Sequence, residues 1–555
     1  MRAAGSRTCN VAAAAAAAAP ASAPLAAAAP PRRPRPAVRA AMRPRAEGLL
    51  ASLRQLVAGG DAGGGAAPTA AIAFSDNAPS WEALAALVAA RRAELDLPEP
   101  DLENGPPSPL ALVRLFGTEG ELGSVRSNQT NYPRPASQPL TNTPTTPLKI
   151  AGEPAITLYR DHAAWCPYCH KIVLQLEEKR IPYRVEKVNM RCYGDKPPAF
   201  MAKVPSGLLP VLEIGGRCIT ESAVIQQLLE ALPGHAPLLP PAGAPERARA
   251  EALMRLERRL FSEWMRWLTS GWQHEAGKAA FCAALDAIEA ALGETSGPYF
   301  LADFSLVDCT FAPFLERIAA SIFYYKGLAV RGGGRWPALE AWFAAMEARP
   351  AYAAFRSDYY THVHDLPPQL GGCASHADAA AGAAAVDGAG PAWRLPLPPL
   401  SAVAAPEPFA PGDAPDADRL RAAARLVGNR AAVVRFACRG PGRPGPRPVA
   451  APLADPTAEP DEAAAPAVDA ALRHVAHALL AGAEAKQADA AHALAAAGAA
   501  GAGVTGAWAP GAPVLPALEY LRDRVGVPRD LPYPAARQLR AHLNWARDLL
   551  VEAAV

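Results

Sequence analysis

From Ala155 onward, short apolar runs alternate with stretches of helical periodicity. Ile156-Thr157-Leu158-Tyr159 predicts a short buried strand. After a loop, Ile172, Val173 and Leu176 fall on one face of a helix over 171–180, which Pro182 stops. Residues 183–188 alternate as a second strand, and 210–214 with 217–220 read as a hairpin closed by Gly215-Gly216. A helix over 221–232 completes a β-α-β-(α)-β-β-α order.

That order is the thioredoxin arrangement, which places an α/β thioredoxin-like domain at residues 151–235. From Pro245 to Phe355 the pattern turns wholly helical. Leu253, Leu256, Leu260 and Trp264 mark one stripe, and Phe281, Leu285, Ile288 and Leu292 another. In Phe304-Ser305-Leu306-Val307-Asp308, Ser305 and Asp308 are spaced as a capping box for a buried helix over 306–319. An all-α domain therefore spans 236–373. His362-Val363-His364-Asp365 near its end lacks a spacing that would present metal ligands together, so no metal site is expected there. Trp264, Trp267 and Trp272 read as a core stripe rather than as the lining of an electrophile pocket.

The flanks are less regular. Residues 47–150 form a linker with one helix, Ser80 capping Trp81 to Leu95; 374–415 form a low-complexity linker. A helical, partly disordered C-terminal extension follows at 416–555, with periodicity over 419–436, 468–480 and 534–551. Much of the apolar half of the composition is alanine, and 59 Pro and 43 Gly argue against a core running the whole length.

Charge changes the picture only at the amino terminus. Residues 1–46 carry eight Arg and no acid; without them, 55 basic against 53 acidic residues become 47 against 53. This segment reads as an organelle transit peptide with Val38-Arg39-Ala40 as its processing site, to the chloroplast first and the mitochondrion second. The mildly acidic remainder excludes a nucleic-acid partner, and the lack of an apolar run of about 18 residues excludes a spanning helix.

Nine cysteines, an odd and scattered number, do not form a secreted disulfide framework. Cys218, Cys282, Cys309 and Cys438 read as packing residues. Only Cys166 and Cys169 are spaced for joint chemistry. A strand, a loop and then Cys-x-x-Cys at a helix start put the first sulfur among free N–H groups, where a thiolate is stabilised. Pro167 suits the first helical turn, and Cys169 lies where it can attack a mixed disulfide on Cys166.

Trp165-Cys166-Pro167-Tyr168-Cys169 resembles a dithiol glutaredoxin site, and residues 155–372 resemble a cysteine-type glutathione transferase of the omega, lambda and iota kind. The second cysteine and the long C-terminal extension resemble the iota class of photosynthetic organisms. The resemblance implies catalytic Cys166 and Cys169. It also implies a glutathione site made by Tyr168, Lys196, Leu209 before a cis Pro210, and Glu221 with Ser222 at a helix start. Lys196 would take the glycine carboxylate, and Glu221 with Ser222 the γ-glutamyl end. The basic residue that many glutaredoxins carry three positions before the first cysteine is Ala163 here, so Arg160 or His162 would have to compensate.

The activity implied is glutathione-dependent thiol transfer, either deglutathionylation or dehydroascorbate-type reduction, with glutathione as cosubstrate and a homodimer as the candidate assembly. Four alternatives stand beside it: a glutathione-liganded [2Fe–2S] cluster, carriage of an apolar ligand, conjugation of glutathione to electrophiles, and an interaction scaffold in which the redox pair is vestigial.

Overall fold

The computed structural model describes residues 78–96, 155–190, 193–398, 400, 414–445, 453, 455, 457–482 and 513–552, with the backbone of 111–115. The transit peptide expected at 1–46 lies outside them.

A five-stranded sheet has the order β1-β3-β2-β4-β5. Strands β1 (Ala111–Leu115), β3 (Tyr183–Val188) and β2 (Ile156–Asp161) run parallel; β4 (Val211–Ile214) and β5 (Arg217–Ile219) complete it antiparallel. β2 is buried along its whole length because it is central and covered on both faces. On one face α2 (Pro167–Glu178) and α4 (Ser222–Glu230) bury Leu158, Ile172, Leu176, Val185, Ile225 and Leu229. On the other, α3 (Pro198–Lys203) closes Tyr159, Val188 and Val211 under Phe200. Each such side chain contributes about 1.5–3 kcal/mol of burial. Gly215 and Gly216 both have positive φ (56° and 73°), as the tight hairpin predicted between β4 and β5 requires. Residues 111–115 fall in the stretch whose composition predicts a linker; their backbone instead adds a parallel strand at the sheet edge.

The helical domain consists of α5 (Pro245–Thr269), α6 (His274–Gly293), α7 (Leu306–Lys326), α8 (Pro337–Glu347), α9 (Pro350–Phe355) and α10 (Tyr359–Leu370). Helix α7 is its axis, buried almost all round, and it begins at the predicted capping box. Asp308 accepts from Ser305 N (2.8 Å), Ser305 Oγ (2.9 Å), Trp342 Nε1 (2.9 Å) and Phe300 N (3.3 Å). The helix outruns the predicted end at 319 and continues to Lys326, where Gly327 (φ 74°) ends it. Trp264 and Trp267 are core, whereas Trp272 is 73% exposed.

Residues 374–398 are not the loose linker expected of their composition. A short helix, α11 (Ala380–Val386), and the buried side chains of Val386 and Trp393 pack them onto the helical domain. Small alanines allow that close approach where low complexity had suggested none.

The C-terminal helices α12 (Pro415–Gly428), α13 (Arg430–Ala437), α14 (Ala465–Ala481), α15 (Val514–Arg522) and α16 (Tyr533–Glu552) share one core with α1 (Trp81–Glu94). The helix expected over 419–436 is two helices, broken at Asn429. Trp81 Nε1 donates to Asp469 (2.7 Å), and Arg473 donates to the carbonyl of Ala78 (2.9 Å). This unit docks on α10. Arg540 pairs with Asp358 (2.5 Å) in a buried contact and lies over the rings of Tyr360 and Trp393. Ser357 Oγ donates to the carbonyl of Val527, and Val527 N donates to Thr361 Oγ1 (3.1 Å).

Candidate active site

β2 ends at Asp161, and a tight loop carries the chain to α2. Ala164 in that loop has φ 56°, a left-handed conformation that a residue with a Cβ adopts at a cost. Cys166 is the N-cap of α2 and Pro167 its first helical residue, as Pro167 suggests, so the helix starts a turn before the 171 marked by periodicity and ends at Glu178 rather than 180. Cys166 is partly exposed, whereas Cys169, one turn in, is buried.

The two thiols differ electrostatically. A hydrogen bond from Cys169 holds the Cys166 thiol below its usual pKa; burial and the Asp161 carboxylate oppose this, and the N–H groups of Cys169 and Tyr168 assist it. The Cys169 thiol is pushed well up by burial, and then by the hydrogen bond it gives to Cys166. The Asp161 carboxylate and the two sulfurs lie within 4.8 Å of one another. Asp161 Oδ2 accepts from Trp165 N (2.6 Å), while Oδ1 is buried without a partner.

Neither cation suggested by the sequence reaches the thiol. Arg160 donates to the carbonyl of Asp161 (2.7 Å). Burial drives the His162 pKa down to about 4, so that ring is neutral near pH 7. The cation comes instead from the helical domain. Arg317 on α7 donates to the carbonyl of Trp165 and to that of Pro313 (2.6 Å), and its guanidinium lies 5.1 Å from the Trp165 ring. Cys166 is among the negative charges that favour its protonated form.

Tyr168 on α2 meets Phe314 edge-on at 5.6 Å, and Phe314 meets Phe261 of α5 at 5.4 Å, which makes an aromatic wall beside Cys166. Two charged groups that the sequence reading missed face the same place. Lys171 is buried, with its ammonium 5.4 Å from the Tyr168 ring. Glu257 is buried on α5, and burial pushes its carboxyl up to about 7 against the pull of Lys171 and Arg258.

The remaining predicted residues cluster on the sheet side. The Leu209–Pro210 peptide is cis, directly before β4, with Leu208 exposed beside it. Glu221 has φ 65° and precedes α4; its carbonyl accepts from Ile225 N (3.0 Å), but its side chain caps nothing. Ser222 is the first residue of α4, not a cap. Lys196 is half-buried, with Nζ 2.8 Å from the carbonyl of Asn189.

His362, His364 and Asp365 go to three different partners: Glu316 (2.8 Å), Asp387 (2.9 Å) and the hydroxyl of Tyr193. A second group with metal-ligand donors, His274, His376 and Asp378, lies away from the thiols, its two imidazoles stacked at 3.5 Å. All seven described cysteines are free thiols. Cys218, expected to pack inside, is exposed on edge strand β5.

Two family models match the chain: the glutathione S-transferase N-terminal domain over residues 165–232, and the C-terminal domain over residues 273–345. Glutathione S-transferase DHAR2 of Arabidopsis thaliana is 30% identical over 166 residues, which cover 30% of this chain and 72% of that protein. Glutathione S-transferase DHAR3, chloroplastic, of the same plant is 28% identical over 191 residues, covering 34% and 68%. Among solved structures, glutathione transferase Omega 3C from Trametes versicolor is 28% identical with a TM-score of 0.33, covering 37% of this chain and 91% of its own.

Proposed function

This chain belongs to the glutathione S-transferase family, and we propose that within it the protein is a thiol transferase with Cys166 as nucleophile and Cys169 as the proton-holding partner. It is a glutathione-dependent enzyme, with glutathione as cosubstrate. The observation that carries the reading is the unequal pair: a partly exposed thiol of lowered pKa beside a buried one of raised pKa.

The Cys166 thiolate attacks the glutathionyl sulfur of a mixed disulfide. A Cys166–glutathione disulfide forms, and the substrate leaves as a thiolate that takes a proton. A second glutathione thiolate then attacks that disulfide, releasing oxidised glutathione and restoring the Cys166 thiolate. With dehydroascorbate, two glutathiones are oxidised to one disulfide while the acceptor gains two electrons and two protons. Glutathione lies between Leu209 and α4, its γ-glutamyl end toward Glu221 and Ser222 and its glycine end toward Lys196. The unusual φ of Glu221 and the exposed Leu208 support that placement. The acid-free, Arg-rich leader and the name of one relative support a chloroplast address.

The test is turnover of a glutathionylated peptide and of dehydroascorbate by the full chain with glutathione. Consumption of either, lost in Cys166→Ser, is the expected result. Failure of the wild type on both overturns the reading.

A further inference from the structure

Two stretches far apart in the chain meet at one corner of the helical domain. Helix α6 begins at His274, entered from Gln273 in a left-handed conformation (φ 55°). Facing it runs the segment that follows α10, and backbone hydrogen bonds fix its path. Ala374 N donates to the carbonyl of Leu268 (2.9 Å), and His376 N to that of Tyr325 (2.8 Å). A Cβ at Gly327 would collide with the Asp378 carbonyl, so glycine at the end of α7 is what lets the segment lie so close. These contacts bring His274, His376 and Asp378 together. One ring nitrogen of each histidine and a carboxylate oxygen lie within 4.8 Å of one another.

The donors suit a metal better than they suit one another. His274 Nε2 is buried and has no hydrogen-bond partner, a costly state for a ring nitrogen that nothing binds. Burial, and then the facing His376 ring, lower the His274 pKa, so near pH 7 its ring is neutral and carries a lone pair. Carboxylates stand on both sides: Asp378 Oδ2 is 3.4 Å from His376 Nδ1, and Glu275 Oε1 is 3.9 Å from His274 Nε2. Lys326, whose charge also reaches His274, is tied to the carbonyl of Ser270 (2.9 Å). Two imidazoles with a carboxylate form a ligand set for Zn²⁺ and its borderline neighbours, whereas Ca²⁺ and Mg²⁺ prefer oxygen throughout. We infer that His274, His376 and Asp378 bind a divalent transition-metal ion of the zinc type, with Glu275 at the rim as the fourth donor. Tetrahedral bonds of about 2.0–2.1 Å set donor atoms about 3.3 Å apart, so the cluster tightens on binding. A metal lies in the plane of each ring it binds, so the imidazoles, stacked at 3.5 Å and 16°, splay apart; His376 is partly exposed and can turn. The bound ion clasps residues 374–398 to the corner between α5 and α6. This site does not depend on the thiol-transfer reading.

Added zinc would also find Cys166 and Cys169, which form the other cluster of donors with Asp161. Binding is therefore measured on the full chain carrying Cys166→Ser and Cys169→Ser. Dialysis against Zn²⁺ should load one ion per chain. Co²⁺ in its place should give visible d–d bands without sulfur-to-cobalt charge transfer. His376→Asn keeps an acceptor for Asp378 N, and with it the local cap. Added to that background, it should weaken Zn²⁺ binding at least about tenfold and abolish the rise in Tm that saturating Zn²⁺ produces. Asp378→Asn, at an exposed position, should weaken binding likewise and serves even if His376→Asn does not fold. Equal affinity in both variants and their parent overturns the site, as does a cobalt spectrum with sulfur charge transfer. A chain that takes up no zinc once the two cysteines are replaced overturns it as well.

Discussion

Two buried carboxylates in this molecule sit beside the starts of helices and do opposite things. Asp308, in the first turn of α7, accepts four hydrogen bonds and binds the cap, Phe300 and Trp342 into one rigid corner. Asp161, at the end of β2 ahead of α2, accepts one at Oδ2, keeps Oδ1 without a partner and stands among two sulfurs. A saturated carboxylate spends its negative charge on fixed donors, and its removal is felt as lost stability. An unsaturated one keeps charge that acts on its neighbours, and here the neighbour is a thiol whose pKa it raises. The same chemical group is thus a fastener in the helical domain and, in the thioredoxin-like one, a charge that works against ionisation of the neighbouring thiol.

The largest expected effect lies at the reactive corner. Cys166→Ser should abolish thiol transfer, while Cys169→Ser should leave glutathione-resolved turnover largely intact; steady-state rates on a glutathionylated peptide decide this. Equal loss in both would mean that the unequal pair is not what organises the chemistry.

At the saturated corner, Asp308→Ala should cost about 3 kcal/mol or more in chemical denaturation, because it orphans several buried donors at once. The Cys166 pKa, followed by thiolate absorbance, should stay where it is. A shifted thiol would break the division of labour between the two carboxylates.

Glu257 offers an intermediate case: buried like Asp308, unpaired like Asp161. Its carboxyl is raised from 4.5 to about 7, so the folded protein holds this proton more tightly than the unfolded chain does. The resulting stability is full below about pH 4.5 and is lost as pH rises through about 7, by about 3 kcal/mol. Glu257→Gln should remove that slope from urea midpoints measured across the window. A variant with the wild-type slope would show that the carboxyl is solvated after all.

Two smaller effects sharpen the contrast. Ser305→Ala should cost about 1 kcal/mol through the lost cap, without touching the thiol. Asp161→Asn can still accept from Trp165 N, so it should change stability little while lowering the Cys166 pKa further, because a neighbouring negative charge is gone.

The thiol corner was legible in the sequence because its parts are local. A strand, a loop, Cys-Pro-x-Cys and a helix follow one another within a few residues, and the capping box of α7 is equally compact. What stayed hidden came from far along the chain. Arg317 reaches Trp165 from another domain, and no spacing near Cys166 announces it. Strand β1 acquires its identity only by pairing with β3, and five residues of Ala-Leu-Val-Arg-Leu carry no period that separates strand from linker. Glu257 carries its own signal in the sequence: a carboxylate in the stripe of Leu253, Leu260 and Trp264, where patterning calls for an apolar residue.

The bond between Trp81 and Asp469 joins residues 388 positions apart and has a consequence for how the chain is made. Helix α1 belongs to the core of the C-terminal helices, so the transferase portion is an insertion within a discontinuous helical unit. At about 5–20 residues per second, a ribosome delivers the partner of α1 roughly 20–80 s after α1 itself. The inserted portion has all its own strands and helices long before then and should fold first. Closure of the helical unit is left as the last event of synthesis. A nascent chain stalled before α14 would carry a finished transferase fold and, trailing from it, the uncovered apolar face of Leu84 and Val88.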